Sequence, residues 1–210
     1  MSTHYKEGKH DGVLKEYEED GSLKLESVYK EGVVSSSKDY YPNGNKKSER
    51  SYTGILKDGT WREYFESGTP AMECEYKEDQ YYGLCRWYYP DGQLRYGSNY
   101  INNKKNGVFE EYGEQDRLLI SSSYLDDQEH GVFKEYYTNG ILKRSRRFIK
   151  GKLDGEYFVY AENGTILKEE NYVQGKREGI AREYNDQGRL VREVEFKGDI
   201  LTGRLMTYYE

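Results

Sequence analysis

The stretch GVFKEYYTNGILK (residues 131–143) is the clearest copy of a pattern that decides the fold of the whole chain. Gly131 opens the stretch, Tyr136 follows five residues later, and Gly140 lies where a turn is expected. An aromatic residue, Phe148, closes the unit, and the same order of residues begins again 24 positions after Gly131. This recurrence predicts a repeat protein whose repeating unit is a β-hairpin.

Five columns of this repeat stay in phase along the 210 residues. The opening column reads Gly12, Ser35, Gly59, Gly83, Gly107, Gly131, Gly155, Gly179 and Gly203. The tyrosine column reads Tyr17, Tyr40, Tyr64, Tyr88, Tyr112, Tyr136, Tyr160, Tyr184 and Tyr208. The turn column reads Gly21, Gly44, Gly68, Gly92, Asp116, Gly140, Gly164 and Gly188. Two residues after the turn come Leu23, Lys46, Pro70, Leu94, Leu118, Leu142, Ile166 and Leu190. The closing column reads Tyr29, Tyr52, Tyr76, Tyr100, Tyr124, Phe148, Tyr172 and Phe196. The spacing predicts one array in a single domain, with a half unit at 1–11, eight units over 12–202 and a half unit at 203–210.

The turn segments explain why each unit is a hairpin rather than a helix. EEDG, YPNG, YPDG, YTNG, AENG and NDQG all place glycine after polar residues, which is typical of a type I turn that ends in a left-handed residue. The second strand alternates apolar and polar residues, which is typical of a half-buried strand. We therefore predict an all-β fold of tandem β-hairpin repeats (period 24), with a looser turn between hairpins. Together they would form one elongated, twisted antiparallel sheet of about eighteen strands.

Two details of strand geometry stay open at this point. The opening glycine and the tyrosine five residues later differ in parity, so either a β-bulge intervenes or both faces of the sheet carry rings. If the looser turn pairs Tyr76 with Gly83, a ring of one unit covers the bare backbone of the next unit. The same register places Cys74 beside Cys85, and we expect free thiols there because the cytosol is reducing.

Composition and charge narrow the classes of function. Only 35% of the residues are hydrophobic and 33% are charged, but the 15% that are aromatic are regularly placed, which favours a folded sheet over disorder. The formal charge is −6, and we interpret the charges as interleaved rather than in blocks. That balance argues against a nucleic-acid partner and against a membrane partner. The absence of an apolar leader or of a run of about 20 apolar residues predicts a cytoplasmic protein.

Few residues could support catalysis or bind a metal. The histidines are His4, His10 and His130, and they form no set with metal-ligand spacing with the two cysteines. Acidic residues precede the tyrosine column at Glu16, Asp39, Glu63, Glu111, Glu135 and Glu183. Basic residues precede those at Lys15, Lys38, Arg62, Arg86, Lys134 and Arg182. We expect these columns to solvate the sheet and to discourage edge association. No enzymatic activity, cofactor or metal is expected.

Departures from the repeat indicate a candidate binding surface. A second ring follows the repeated tyrosine in several units, and in the fourth unit a tryptophan replaces the usual acidic residue next to the basic residue Arg86. Trp, Tyr and Arg are enriched at binding hot spots. The candidate partner-binding residues are Arg86, Trp87, Tyr89, Tyr81, Tyr82, Phe65, Tyr41 and Tyr137. The alternative is that these rings pack along the sheet or at its turns. Trp61, in a bulky column, is expected in the core.

The tandem pattern G-x-x-x-x-Y-x-x-x-G-x-L-x-x-x-x-x-[YF] resembles the MORN-repeat variant family over nearly the whole chain. Ser35 and Asp116 depart from the glycine columns, and Lys46 and Pro70 depart from the leucine column, which weakens single units. Bacterial arrays of this kind are similar to the YwqK-type antitoxins. That resemblance implies a non-enzymatic protein-binding module, an antitoxin or immunity protein that neutralises a partner toxin by direct binding, as a monomer or with weak self-association.

Two other functions fit a hairpin array. Open strands at both ends favour a structural scaffold or a self-assembling repeat protein. A cell-surface or carbohydrate-binding array is the other alternative, which two tryptophans in 210 residues disfavour.

Overall fold

The structure is a computed structural model that describes residues 5–203 and 205–208. His4 lies outside the described residues, as do parts of both predicted half units. The chain divides into two compact units, the first ending at Lys104 and the second beginning at Lys105, and each is described by itself. In both units the hairpins are antiparallel and follow one another in sequence, and the only helical segment described is a 3-10 turn at Glu114–Asp116. The predicted all-β fold of tandem hairpins is confirmed, while its assignment to a single domain stays a prediction.

The first unit contains the first eleven strands. They are β1 (Tyr5–Lys6), β2 (Lys9–His10), β3 (Gly12–Tyr17), β4 (Leu23–Lys30), β5 (Val33–Tyr40), β6 (Lys46–Thr53), β7 (Leu56–Tyr64), β8 (Pro70–Lys77), β9 (Gln80–Tyr81), β10 (Gly83–Tyr88) and β11 (Leu94–Ile101).

The second unit contains the other eleven, the first of which begins at the unit boundary. They are β12 (Lys104–Tyr112), β13 (Leu118–Leu125), β14 (Gln128–Glu129), β15 (Gly131–Tyr136), β16 (Leu142–Ile149), β17 (Lys152–Tyr160), β18 (Ile166–Val173), β19 (Lys176–Tyr184), β20 (Leu190–Lys197), β21 (Ile200–Leu201) and β22 (Met206–Thr207). Four of the predicted strands are each interrupted and appear as two short strands: β2 with β3, β9 with β10, β14 with β15, and β21 with β22.

The glycine turns have the predicted geometry. In the YPNG turn the amide of Gly44 donates a hydrogen bond to the carbonyl of Tyr41 (2.9 Å), and Gly44 has a φ of 86°. A side chain in this left-handed region would be strained, which explains the glycine column. Asp116 replaces the glycine in the fifth hairpin and takes a φ of 54°, but Gln115 before it also has a positive φ (61°), so this turn has two left-handed residues instead of one.

A β-bulge precedes the repeated tyrosine in every hairpin. In the fourth hairpin Trp87 pairs with Tyr96 whereas Tyr88 pairs with Leu94, so Arg95 is an extra residue on the second strand. The same shift occurs in the other seven hairpins. The tyrosine nevertheless lies on the opposite face from the opening glycine. The bulge lies on the second strand and leaves the parity of the first strand unchanged, so of the two explanations it is the second, rings on both faces, that accounts for the parity.

Successive side chains point to the two faces of each sheet. We call one the ring face; it carries Trp61, Cys74 and Cys85 in the first unit and residues such as Phe133 and Phe148 in the second. We call the other the ladder face. It carries the basic column of the repeat, Lys15, Lys38, Arg62 and Arg86 in the first unit and Lys134 and Arg182 in the second.

In seven of the eight hairpins the closing ring lies opposite the opening glycine of its own hairpin; the second hairpin, which opens with Ser35, is the exception. Gly83 pairs with Tyr100, as Gly59 pairs with Tyr76. The predicted pairing of Tyr76 with Gly83 is wrong, since Tyr76 pairs with Tyr81 across the turn between hairpins. A ring therefore covers the bare backbone of a glycine in its own unit, and not in the next unit.

The turn between hairpins is tighter than the looser turn that we predicted. Glu78 and Asp79 have φ values of 51° and 66° and form a two-residue loop, as in type I′ hairpins. The amide of Asp79 donates to the carbonyl of Lys57 (2.9 Å), and the amide of Lys57 donates to Oδ1 of Asp79 (2.7 Å). We call this two-bond link between successive tight turns a clasp. It recurs for Asn103 with Tyr81, Asp127 with Lys105, and Asp199 with Arg177. Gly32, Gly151 and Gly175 make the backbone bond of the clasp.

The core of the first unit is built around a disulfide between Cys74 and Cys85. Both residues are 0% exposed, and their Cα atoms are 4.2 Å apart on the neighbouring strands β8 and β10. The register that we predicted for the pair is correct, but the expectation of free thiols is wrong, because facing antiparallel residues come close enough to be bridged. Trp61 packs against this cluster, which confirms its predicted place in the core.

The ring face of the second unit has a different core. Ala181, Val194 and Phe196 form its buried cluster, and the guanidinium of Arg177 lies over the ring of Phe196 at 4.0 Å. Aromatic and charged side chains thus share this face, as expected for a sheet in a chain with few aliphatic residues.

Candidate partner-binding surface

The ladder face of the first unit begins as a row of alternating charges. Glu26 on β4 lies between Lys15 on β3 and Lys38 on β5, at 3.2 and 3.3 Å. Burial raises the pKa of Glu26, but the hydrogen bonds with Lys15 and Lys38 outweigh it, so that this pKa falls below its usual value. The Glu26 carboxylate thus serves two neighbouring strands. These acidic partners lie on the second strand of each hairpin, so a column read along the sequence does not reveal them.

The row continues to Arg62 and then fails at Arg86. Arg62 donates two hydrogen bonds, of 2.8 and 2.6 Å, to one oxygen of Glu73. Arg86 pairs in register with the same Glu73 on one side and with Gly97 on the other. Because Gly97 replaces the expected acid, Arg86 is exposed and makes no ion pair with any residue that the structure describes.

Two other exposed side chains lie close to Arg86 in sequence, one on β10 and one between β9 and β10. Leu84 precedes it by two residues on the same face of β10 and is 36% exposed. Tyr82 is 43% exposed, and the ammonium group of Lys77 lies 5.3 Å from its ring centre. A guanidinium beside an aliphatic side chain and a phenol can bind an anionic group and cover apolar surface at the same time.

The other candidates in the fourth unit pack into the ring face. Trp87 stacks on Tyr96 with ring centres 4.6 Å apart and planes at 18°. Tyr81 lies between Tyr76 (4.8 Å) and Tyr100 (5.4 Å). Burial raises the pKa of Tyr76, and its hydrogen bond with Tyr81 adds to that shift. The structure therefore places Trp87 and Tyr81 in the core beside the disulfide and leaves Arg86 and Tyr82 on the surface.

The rings that follow the repeated tyrosine occupy turn positions. The hydroxyl of Tyr41 donates to the carbonyl of Tyr64 (2.8 Å), and Tyr137 makes the same bond to Tyr160 (2.8 Å), so each links its turn to the next hairpin. Phe65 is half-buried at the start of its turn. Tyr89 is also half-buried, with the guanidinium of Arg95 5.7 Å from its ring centre. Whether any of them touches a partner stays a prediction.

Within residues 5–203 and 205–208 no group of three or more His, Cys, Asp or Glu side chains is arranged to hold a metal ion. His10 contacts the hydroxyl of Tyr5 at 3.2 Å and its ring lies against Tyr29. The two cysteines are joined to each other. These contacts give His10 and the two cysteines a structural role in the fold.

The fold defines a class of protein, the tandem hairpin repeat proteins with an open sheet. The model of the MORN repeat variant matches residues 11–31, 36–53, 57–78, 81–102, 129–150 and 153–174, which is more than half of the chain. The chain belongs to the MORN repeat variant family, whose repeats are generally non-catalytic modules that bind proteins or membranes. A comparison with curated proteins gives no match. No helix among the described residues has the length and apolar character needed to cross a membrane.

Proposed function

We propose that this chain is a protein-binding repeat module that neutralises a partner toxin by direct binding, with Arg86 at the centre of the contact. The observation that carries the proposal is the failure of the charge row at Arg86. Its neighbour Glu73 is already held by Arg62, and Gly97 supplies no acid on the other side. An exposed arginine that forms no ion pair with the described residues is a group that a second protein can engage.

The surroundings of Arg86 fit a protein contact. Leu84 and Tyr82 supply apolar area next to the charge, whereas Trp87 and Tyr96 lie on the other face of the same hairpin and hold the strand from behind. A rigid support under a few exposed anchors is the usual arrangement at a binding hot spot. The toxin itself enters the proposal through the resemblance to the YwqK-type antitoxins.

The proposed site of action is the cytoplasm, where an immunity protein would meet a delivered toxin. Thiols are kept reduced in that compartment. The proposed function therefore does not depend on the bond between Cys74 and Cys85, since the contact lies on the opposite face of the sheet from the cysteines.

The test requires a toxin domain, which is to be sought among the genes that flank the gene for this chain; the absence of one there would count against the antitoxin role. We expect co-expression of the chain to restore growth, and Arg86→Ala to weaken binding of the purified toxin at least tenfold by isothermal titration calorimetry. The matched control is Lys30→Ala, which removes an equally exposed cation at the end of β4 and should leave the affinity within twofold. Unchanged affinity and full neutralisation by Arg86→Ala would refute the surface, and no protection by the unaltered chain would refute the antitoxin role.

Trp87→Ala serves as a separate test of packing. It removes the ring that stacks on Tyr96 beside the disulfide cluster, so we expect a lower melting temperature. Any loss of binding in that variant should follow the loss of folded protein, whereas Arg86→Ala should melt like the unaltered chain.

A further inference from the structure

We infer that the ladder face of the hairpin β15–β16, with the start of β17, binds an acidic segment of a partner protein. This inference rests on the proposed function as a protein-binding module, and it names the chemistry of the partner segment. Residues 131–152 contain seven Lys or Arg and one Glu, a formal charge of +6 in a chain whose total is −6. The interpretation that charges are interleaved along the whole chain is wrong over this stretch. The hairpin that best represents the repeat thus also carries the strongest local charge.

Three of these seven cations are engaged on the ring face. Lys143 and Arg144 lie 2.7 and 3.9 Å from the carboxylate of Glu135, and the hydrogen bond from Lys143 lowers the pKa of that carboxyl. Arg146 lies over Phe133 at 4.4 Å and near Phe148 at 5.5 Å. The three cations on the ring face therefore already have partners within the hairpin.

The remaining four, Lys134, Arg147, Lys150 and Lys152, are exposed, and their side chains make no ion pair or hydrogen bond with the described residues. Lys134 and Arg147 alternate with the buried or half-buried Phe133, Arg146 and Phe148, so they lie on the ladder face. Lys152 pairs with Ile149 and lies on the same face, and Lys150 lies in the tight turn beside it.

Lys134 occupies the position in the charge row at which other units supply two carboxylates. Its neighbours in register are Ser121 on β13 and Ser145 on β16. The corresponding Arg182 lies between Glu169 and Glu193, with hydrogen bonds of 2.9 and 2.6 Å, and these bonds raise its pKa. The sheet therefore presents a cation and two hydroxyls where it elsewhere presents a cation held between two carboxylates.

Apolar groups lie next to this charge and argue for a protein segment. Val132 is 47% exposed and Ile149 is 37% exposed, and a shallow groove is lined by Val132, Ser145, Arg147, Glu156 and Phe158. A segment with two or three carboxylates and an aliphatic side chain would match both the cations and the groove. A long polyanion fits less well, because Glu156 lies in the groove and the rest of the chain is strongly acidic.

The experiment uses a fluorescein-labelled twelve-residue peptide of Asp, Glu and Leu and the full chain, with binding followed by fluorescence anisotropy at low salt. We expect measurable binding that Lys134→Glu with Arg147→Glu weakens at least tenfold. The matched control Lys30→Glu with Lys197→Glu makes the same change in net charge at two exposed lysines off this surface, and it should stay within about twofold. Circular dichroism checks that both variants keep their strand content.

Every other outcome overturns the inference. Equal binding of a matched peptide with Lys in place of Asp and Glu would show that the acidic groups are not recognised. An equal loss of affinity in both double variants would show that binding depends on the net charge of the chain and not on this surface. Tighter binding of a twelve-nucleotide oligothymidylate, or of phosphatidylcholine vesicles with 20% phosphatidylserine, would assign the surface to a different partner. Because no toxin is used, failure here leaves the proposed antitoxin role standing, and Arg86→Ala should bind the peptide normally.

Discussion

Reduction of the bond between Cys74 and Cys85 should loosen the first unit and leave the second unchanged. The two cysteines are 11 residues apart, and the chain-entropy relation for a loop of that size gives about 2.8 kcal/mol at 25 °C. In a repeat array each hairpin depends mainly on its neighbours, so the loss should stay near β8 and β10. A difference of this size corresponds to roughly a 100-fold change in the local opening equilibrium.

Hydrogen exchange read by mass spectrometry measures that change strand by strand. Protein that has been unfolded, reduced and refolded with a phosphine reductant is compared with the oxidised protein. We expect amide protection in β7, β8, β10 and β11 to fall by about 100-fold, whereas β17 to β20 keep theirs. The variant Cys74→Ser with Cys85→Ser controls for the reductant, since it should show no further response to it.

A fall of less than threefold in the first unit, or an equal fall in both units, would refute the reasoning. The first result would mean that the packing of Met72, Tyr76 and Trp61 around the two sulfurs holds these strands without the bond. The second would mean that the units do not unfold independently.

Three further changes test the backbone and the charge row by chemical denaturation with exchange as the local readout. Gly131→Ala should lower the free energy of unfolding by about 2 kcal/mol, because φ is 106° and the new methyl would lie 2.5 Å from Oγ of Ser123. Gly140→Ala, with φ 84° and open space around the new methyl, should lower it by about half as much. Equal losses in the two variants would contradict this reasoning. Gly175→Asn should stabilise the clasp by a few tenths of a kcal/mol, since Asn103 makes the side-chain hydrogen bond of its clasp in the same conformation. Gly175→Ala should destabilise it, and a stabilising effect of Gly175→Ala would disprove the role of the side chain. The hydrogen bonds from Arg182 and Tyr184 lower the pKa of Glu169 below its usual 4.5, so the stabilisation is complete above pH 4.5 and is lost as the pH falls through the lowered pKa. Glu169→Gln should therefore flatten the acid limb of a stability-against-pH curve, and an unchanged limb would exclude this pair as a cause.

The hairpin period could be predicted because it rests on local chemistry. Glycines such as Gly44 are needed at left-handed turn positions, and rings such as Tyr100 recur opposite an opening glycine, so both leave a regular mark in the sequence. The turns between hairpins carry no uniform sequence signal for their tightness, because some contain a glycine, such as Gly151 or Gly175, whereas Glu78 and Asp79 adopt positive φ without one. That conformation is set by the clasp to the previous turn, which is a contact 22 residues away.

The candidate surface was predicted only in part, for a related reason. Trp87 lies four residues after Gly83 and two after Cys85, so strand parity alone places it on the ring face; that signal was present and was not used. Arg86 and Lys134 lack acidic neighbours because Gly97, Ser121 and Ser145 face them, and these residues lie on neighbouring strands that become adjacent only in the sheet. The state of the two thiols could not be predicted from register, because oxidation depends on the surroundings of the protein as well as on distance.

The clasps between successive tight turns have a consequence for how such a chain changes its length. Each clasp joins a turn residue to a backbone group 22 residues earlier, for example Asp127 to Lys105, and the next clasp begins one period later. Deleting or duplicating a segment of 24 residues leaves every remaining turn facing an equivalent partner. Deleting 12 residues would place a glycine turn where a tight turn belongs and would leave donors such as the amide of Lys105 without an acceptor. Genes encoding this fold can therefore gain or lose whole hairpins by simple recombination, and selection can act on the number of copies independently of the residues that contact a partner.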